Sequence, residues 1–297
     1  MILVAGGTGR LGTLIVGALV DRGFEVRVLT RDPERVGPAS AGVEVMTGDV
    51  RNRTSLDQAV AGVDLVISAV HGFEGPRGIS PATVDRDGNV NLIDAAKAVG
   101  ADFVLLSTVG AAIDSPMELF RMKYAAERYA AASGVPTTIV RATAFLELWI
   151  ELLRKTAGRS GRPLVFGRGD NAINFVSVTD VAAVVVRAVT DPTTRSMTLE
   201  IGGPADLTFN ELAQKVIAAD GATGTPRHIP TAALKLMANT VGRVNPQLGR
   251  QARAAIIMDR DDLTFDAAPI HKAYPGLPCT ALGALLAVEP GSDLLTT

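Results

Sequence analysis

The chain has 297 residues, 47% apolar and 20% charged, with a net charge of −2 from 29 basic and 31 acidic side chains. This suits a globular protein with one large domain, or a large domain and a smaller one. It lacks the basic excess of a duplex-DNA footprint, so no nucleic-acid partner is expected. The single cysteine, Cys279, excludes an intrachain disulfide, and three scattered histidines, His71, His228 and His271, speak against a metal site.

Strand and helix patterns alternate from the first residues. Residues 2–5 form a short apolar run closed by glycines, a buried strand. Residues 11–20 have helical spacing, with Gly23 at a helix C-cap position. Residues 24–29 and 43–46 read as the second and third strands, and Thr54 or Ser55 caps a short helix to Val60. A fourth strand at 63–70, a helix at 85–99, a fifth strand at 103–106, a helix at 117–132 and a sixth strand at 137–140 follow. Helical crossovers between strands imply a doubly wound parallel α/β sheet covered on both faces. After Arg141 the rhythm loosens into a Gly- and Arg-rich loop at 158–171, a strand at 174–178, a helix from Asp180 and a strand at 197–201. Residues 208–260 are mainly helical in pattern and read as a smaller layer. No stretch approaches the roughly 18 apolar residues of a membrane span. Residues 1–5 are too short for a secretion signal, so a cytoplasmic protein without membrane contact is expected.

The sharpest signal is Gly6-Gly7-Thr8-Gly9-Arg10-Leu11-Gly12, because it follows the first strand and opens the first helix. Gly6 permits the turn, Gly9 lets the backbone approach a pyrophosphate, and Gly12 lets helix and strand pack closely. The phosphates would meet the helix N-terminus, where amides and the dipole favour an anion. The second strand ends in Thr30, Arg31 and Asp32. An acidic side chain there would hold the ribose of NAD, whereas Arg31 suits the 2′-phosphate of NADP, with Arg10 as a second contact. NADP is expected in preference to NAD, with Asp32 as the route to NAD. Asp49, followed by Val50, either accepts from the adenine amino group or caps a turn. Ser68, Ala69 and Val70 end the fourth strand with small side chains that leave room for the cofactor.

Together with Leu29–Pro33, Gly48-Asp49, the run 133–141, the run 174–180 and the run 199–204, this loop resembles the atypical short-chain dehydrogenase/reductases, and among them the NmrA-like NAD(P)H-binding group of bacteria. The resemblance covers the chain to about Leu212. It implies a Rossmann domain with a small C-terminal substrate region, and either a reductase or a redox-sensing binding protein. The division expected is a Rossmann domain at 1–150 with a return segment at 173–202, a substrate region at 151–172 and 203–288, and a mobile tail at 289–297.

Short-chain reductases use a hydroxyl residue, a tyrosine and a lysine four residues later on the same helix. Lys123 fits the lysine, which binds the ribose hydroxyls, and Glu127 fits the acidic residue that follows. The tyrosine slot holds Leu119. Tyr124 is rotated by about 100° from Lys123 on a helix and reads as a packed side chain. Ser107 and Thr108 occupy the hydroxyl position, either to bind a substrate oxygen or to bond backbone. Thr143 borders the nicotinamide, with Phe145 as a substrate-pocket wall. His71 and Arg77, in a glycine-rich loop after the fourth strand, face cofactor or substrate, or solvent. Glu147 and Trp149 line the substrate cleft, or Trp149 packs in the core. Arg159, Arg162 and Arg168 bind an anion or are solvated. Two functions stand: an NADPH-dependent reductase of a small carbonyl or quinone compound, and a non-catalytic NAD(P)-binding sensor. An epimerase or dehydratase acting on a nucleotide sugar is a weaker third, for want of the tyrosine.

Overall fold

A computed structural model describes residues 1–36, 42–75 and 78–287. Arg77 and the tail at 289–297 lie outside the described residues. The chain divides into two compact units, Met1–Ala142 with Val181–Ile201 and Thr143–Asp180 with Gly202–Thr297.

The first unit is a seven-stranded parallel sheet. Its elements are β1 (Ile2–Ala5), α1 (Arg10–Val20), β2 (Val26–Thr30), β3 (Glu44–Thr47), α2 (Arg53–Ala59), β4 (Leu65–Ser68), α3 (Asp87–Val99), β5 (Asp102–Thr108), α4 (Glu118–Ser133) and β6 (Thr137–Ala142), with a last strand at Thr198–Ile201. The spatial order is β3-β2-β1-β4-β5-β6 followed by Thr198–Ile201. Strand order reverses beside β1, whose neighbours are β2 on one side and β4 on the other. Such a switch point opens a crevice beyond the strands' carboxyl ends. Every residue of β1 and β2 is buried, as both-sided cover requires. One apolar layer gathers Leu3, Leu56, Val66, Leu92, Ile93, Phe103 and Leu105 from strands and helices. Each such side chain contributes about 2 kcal/mol by leaving water. Helices α3 and α4 end on left-handed glycines, Gly100 at φ 73° and Gly134 at φ 80°, as their sequence positions predict.

The second unit holds a three-stranded sheet of Ala144–Phe145, Ala172–Val176 and Asp206–Thr208 and a two-stranded sheet of Leu164–Phe166 and Arg227–Ile229. The boundaries differ from those read in the sequence. The first unit closes at Ala142, not near 150, and the strand at Ala172–Val176 does not return to the large sheet. The buried Asn174 amide explains this: it donates to Gly203 O at 3.2 Å and Asp206 Oδ1 at 2.9 Å and accepts from Gly203 N at 2.8 Å, which fixes the strand in its own unit. Trp149 is half-buried and packs edge-on against the buried Phe209, ring centroids 4.7 Å apart. Glu147 is fully buried and does not line a cleft. It accepts from Ser177 Oγ at 2.5 Å and Val178 N at 3.0 Å, at the start of the helix Val178–Thr190. Arg162 and Arg168 are held by Thr225 O and Asp259 O, so two of the three arginines there already have protein partners.

Among the described residues, no helix is long and apolar enough to cross a membrane.

Arg141 on β6 grips Glu127 of α4 through two parallel bonds of 2.9 and 2.6 Å and reaches Glu200 at 3.0 Å. Hydrogen bonding to Glu127 raises the guanidinium's pKa further above its ordinary value. Removing Glu127 leaves a part-buried guanidinium with Glu200 as its remaining carboxylate. Glu127→Ala is therefore expected to cost about 1–2 kcal/mol by urea unfolding, and Glu127→Leu with Arg141→Met less.

Candidate functional site

The loop between β1 and α1 is built by close backbone approach. Gly6 has φ 86°, and a Cβ on it would sit 2.7 Å from Ala69 O. A Cβ on Gly12 would overlap the Gly6 carbonyl, and one on Gly7 would press on Val28 at 2.9 Å. Gly9 is different. It is exposed, and its added Cβ would meet only Gly6 O, at 3.3 Å. Gly9 is the N-cap of α1 and offers no side-chain cap, and the first turn carries no acidic residue. The helix thus presents an uncapped N-terminus at the carboxyl edge of the sheet, where its dipole favours an anion. Thr8 and Arg10 are half-buried beside it and Leu11 is buried under it.

At the end of β2, the Thr8 and Thr30 hydroxyls lie 3.4 Å apart. Asp32 caps the following turn, accepting from Glu34 N at 3.2 Å. Arg31 is exposed. Asp49 is tied to Arg51, with contacts of 3.0, 3.1 and 2.6 Å to the guanidinium and 2.9 Å to the backbone N–H. That bonding, aided by the charge of Arg31, holds its carboxyl below the ordinary value despite partial burial. Val50 is buried against Gly88. At the end of β4, Ser68 is committed to Asn89 at 2.5 Å, while Ala69 and Val70 carry the chain out to His71.

Beyond β4 and β5 lies a buried charge cluster. Lys123 of α4 donates to Val70 O at 3.2 Å and Leu106 O at 2.8 Å, and its Nζ lies 3.0 Å from Asp85 Oδ1. Two backbone carbonyls bond the ammonium and the Asp85 carboxylate stands beside it, so a ribose hydroxyl would have to compete with them. Asp85 is completely buried and also accepts from Gly72 N at 2.9 Å. It sits in a π-helical turn, Pro81–Arg86, started by a capping box between Ser80 and Thr83. His71 Nδ1 stands 3.7 Å from Asp85 Oδ1, and the His71 side chain is 49% exposed. Thr108 donates to backbone at Val109 and Ala142. Ser107 Oγ, by contrast, is buried with no hydrogen-bond partner.

Leu119 is half-buried on α4, and Tyr124 is half-buried one residue after the buried Lys123. Thr143 and Phe145 belong to the second unit. Thr143 donates to Asn174 Oδ1 at 3.0 Å, and Phe145 pairs with Val176. Among the described residues, no group of His, Cys, Asp and Glu gathers to hold a metal ion. Asp85 carries no role in the sequence reading, since it looks like the first residue of an ordinary helix. A lysine at a buried position on α4 needs a counter-charge, and that need was the one available cue.

Burial alone would push the Asp85 carboxyl up. Lys123, then His71, reverse this and hold it below the ordinary value. A carboxylate lowered on folding stabilises fully above its unfolded pKa of about 4 and loses that contribution as pH falls through its folded value. Asp85→Asn is expected to destabilise by about 3 kcal/mol near neutral pH, and the gap to the parent chain to narrow as pH falls below about 4, read by chemical unfolding across that range.

Comparison with known proteins places these features in a family. The NmrA-like family model matches residues 1–249. An NAD(P)H azoreductase of Xenophilus azovorans is 30% identical over 227 residues, 74% of each chain. An isoflavone reductase homolog of Nicotiana tabacum is 32% identical over 232 residues, 71% of each. Among solved structures, an NADPH-dependent quinone oxidoreductase of Escherichia coli complexed with NADPH shares the fold at TM-score 0.79 and 22% identity, over 97% of this chain and 99% of that one. A Citrobacter triphenylmethane reductase complexed with NADP(H) does so at 0.77 and 21%, over 94% and 96%. The chain belongs to the NmrA-like family.

Proposed function

We propose that this protein is an NADPH-dependent reductase of a small carbonyl or quinone compound. The observation that carries the reading is the glycine cradle, where crowding at Gly6 and Gly12 fixes the backbone and the side-chain-free Gly9 leaves the N-terminus of α1 open to a diphosphate. Relatives named as an NAD(P)H azoreductase and an isoflavone reductase homolog support the class of reaction.

Gly6, Thr8, Gly9, Arg10, Leu11 and Gly12 would hold the diphosphate. The commitment of Asp32 to capping its own turn, and the exposed guanidinium of Arg31 beside it, favour a 2′-phosphate over a bare ribose. Val50, Ala69 and Val70 offer apolar walls. The cofactor's part is to supply a hydride. Lys123 keeps a positive charge at the ends of β4 and β5, and Ser107 has the hydroxyl left to bond a substrate oxygen. Leu119 in the tyrosine slot favours a second reading, a non-catalytic NAD(P)-binding sensor.

Turnover separates the two. The pure protein is expected to oxidise NADPH with members of a panel of quinones and ketones, followed at the reduced-cofactor absorbance. Tight NADPH binding without turnover across that panel would favour the sensor. Arg31→Asp is expected to weaken NADPH at least 10-fold more than NADH, consistent with loss of a charged phosphate contact worth about 1.4 kcal/mol or more; equal losses would remove the 2′-phosphate assignment. Gly9→Ala, whose Cβ would stand 3.3 Å from Gly6 O and need that carbonyl to give by a few tenths of an ångström, is expected to bind NADPH at least 10-fold more weakly by calorimetry, with a smaller loss of melting temperature than Gly12→Ala, whose Cβ would overlap the same oxygen.

A further inference from the structure

Reduction of a carbonyl or quinone requires a proton as well as a hydride, and the family tyrosine is replaced by Leu119. Other groups at the carboxyl edge are poorly suited to give one. The N–H groups of Lys123 face Val70 O, Leu106 O and Asp85, and the Thr108 hydroxyl bonds backbone. Ser107 is an aliphatic alcohol, a weak acid that suits binding better than protonation.

We infer that His71 is the proton donor, with Asp85 as the residue that positions it; this rests on the reductase reading above. His71 leaves the end of β4, the strand beside the switch point. Its backbone neighbour Gly72 is pinned to Asp85 Oδ2 at 2.9 Å, and its Nδ1 lies 3.7 Å from Asp85 Oδ1. The charged groups in this cluster are Asp85 from the π-helical turn and, behind it, Lys123 from α4; on the loop itself the Phe73 ring stacks at 6.0 Å. A fully buried carboxylate is costly to keep for packing alone, since an apolar replacement of such a pair is often as stable. A π turn is likewise rare and recurs at functional sites. Here the turn aims Asp85 at both Lys123 and the imidazole. The other two histidines, His228 and His271, belong to the second unit.

The step balances simply. The acceptor gains two electrons with a hydride from the reduced nicotinamide. An N–H bond of the His71 imidazolium breaks as an O–H bond forms on the acceptor, and the neutral ring regains its proton from water at its exposed face. An imidazole is the side chain suited to cycle this way near neutral pH.

The test uses two acceptors. A para-benzoquinone needs hydride and proton, whereas a triarylmethyl cation dye needs hydride alone. In His71→Gln the ratio of quinone to dye turnover is expected to fall about 100-fold, the range of a lost general acid. An unchanged ratio overturns the assignment of His71. A parent chain that oxidises NADPH with neither acceptor overturns the reductase reading instead. Independently of turnover, proton NMR follows the three imidazoles of the ligand-free protein at one fixed pH. Asp85→Asn is expected to shift the His71 ring resonances, 3.7 Å from the replaced group, while those of His228 and His271 stay put, and no movement would overturn the role of Asp85. Should that variant fail to fold, His71→Gln still decides, because the His71 side chain is half-exposed.

Discussion

Backbone meets backbone where β1 turns into α1. The carbonyl of Gly6 lies where a Cβ of Gly12 would be, and Gly6 itself has no room for a side chain against Ala69 O. These contacts draw three pieces of chain together: the end of β1, the first turn of α1 and the end of β4. Their closeness is what lets helix dipole and strand ends act on the same small volume. Bulk at Gly6 or Gly12 would push the pieces apart before any ligand arrived. Bulk at Gly9 would press less on Gly6 O, at 3.3 Å against the overlap at Gly12, and would stand at the exposed start of the helix.

The second organising element is electrostatic. A lysine and an aspartate are buried side by side at the ends of β4 and β5, each satisfied by backbone as well as by the other. Such pairs gain little net stability over apolar packing and cost much when one partner is removed. The pair fixes the loop after β4, because Gly72 N and Val70 O are both among its partners. The same edge therefore has the buried Lys123–Asp85 pair at one end and the uncapped, side-chain-free N-terminus of α1 at the other. A parallel sheet with its strand order reversed at β1 puts both at the carboxyl edge, where ligands of such sheets bind.

Much of this was legible in the sequence. The glycine spacing after a buried strand predicted the tight turn into α1, and the alternation of strands and helices predicted the sheet, because both depend on local pattern. The lysine on α4 was visible too. Asp85 was not, since a π turn differs from an α-helix by a single inserted residue and leaves no periodic mark. The strand at Ala172–Val176 was found, but its sheet was misjudged. Its pairing with Ala144–Phe145 and Asp206–Thr208 rests on tertiary bonds from Asn174 that no local pattern announces. Glu147 read as a cleft residue from its place shortly after the sixth strand; here it is buried and serves the start of the next helix. Ser107 and Thr108 were indistinguishable as neighbouring hydroxyls, and only the backbone acceptors around Thr108 separate them.

The claim on which the account stands is that a dinucleotide's phosphates rest against the first turn of α1. Backbone amide NMR on the intact protein reads that contact directly. Addition of NADPH should shift the amide resonances of residues 7–12 more than those of any other segment, saturating at one nucleotide per chain. Shifts that left this segment untouched while moving others, or no shifts at all, would contradict it.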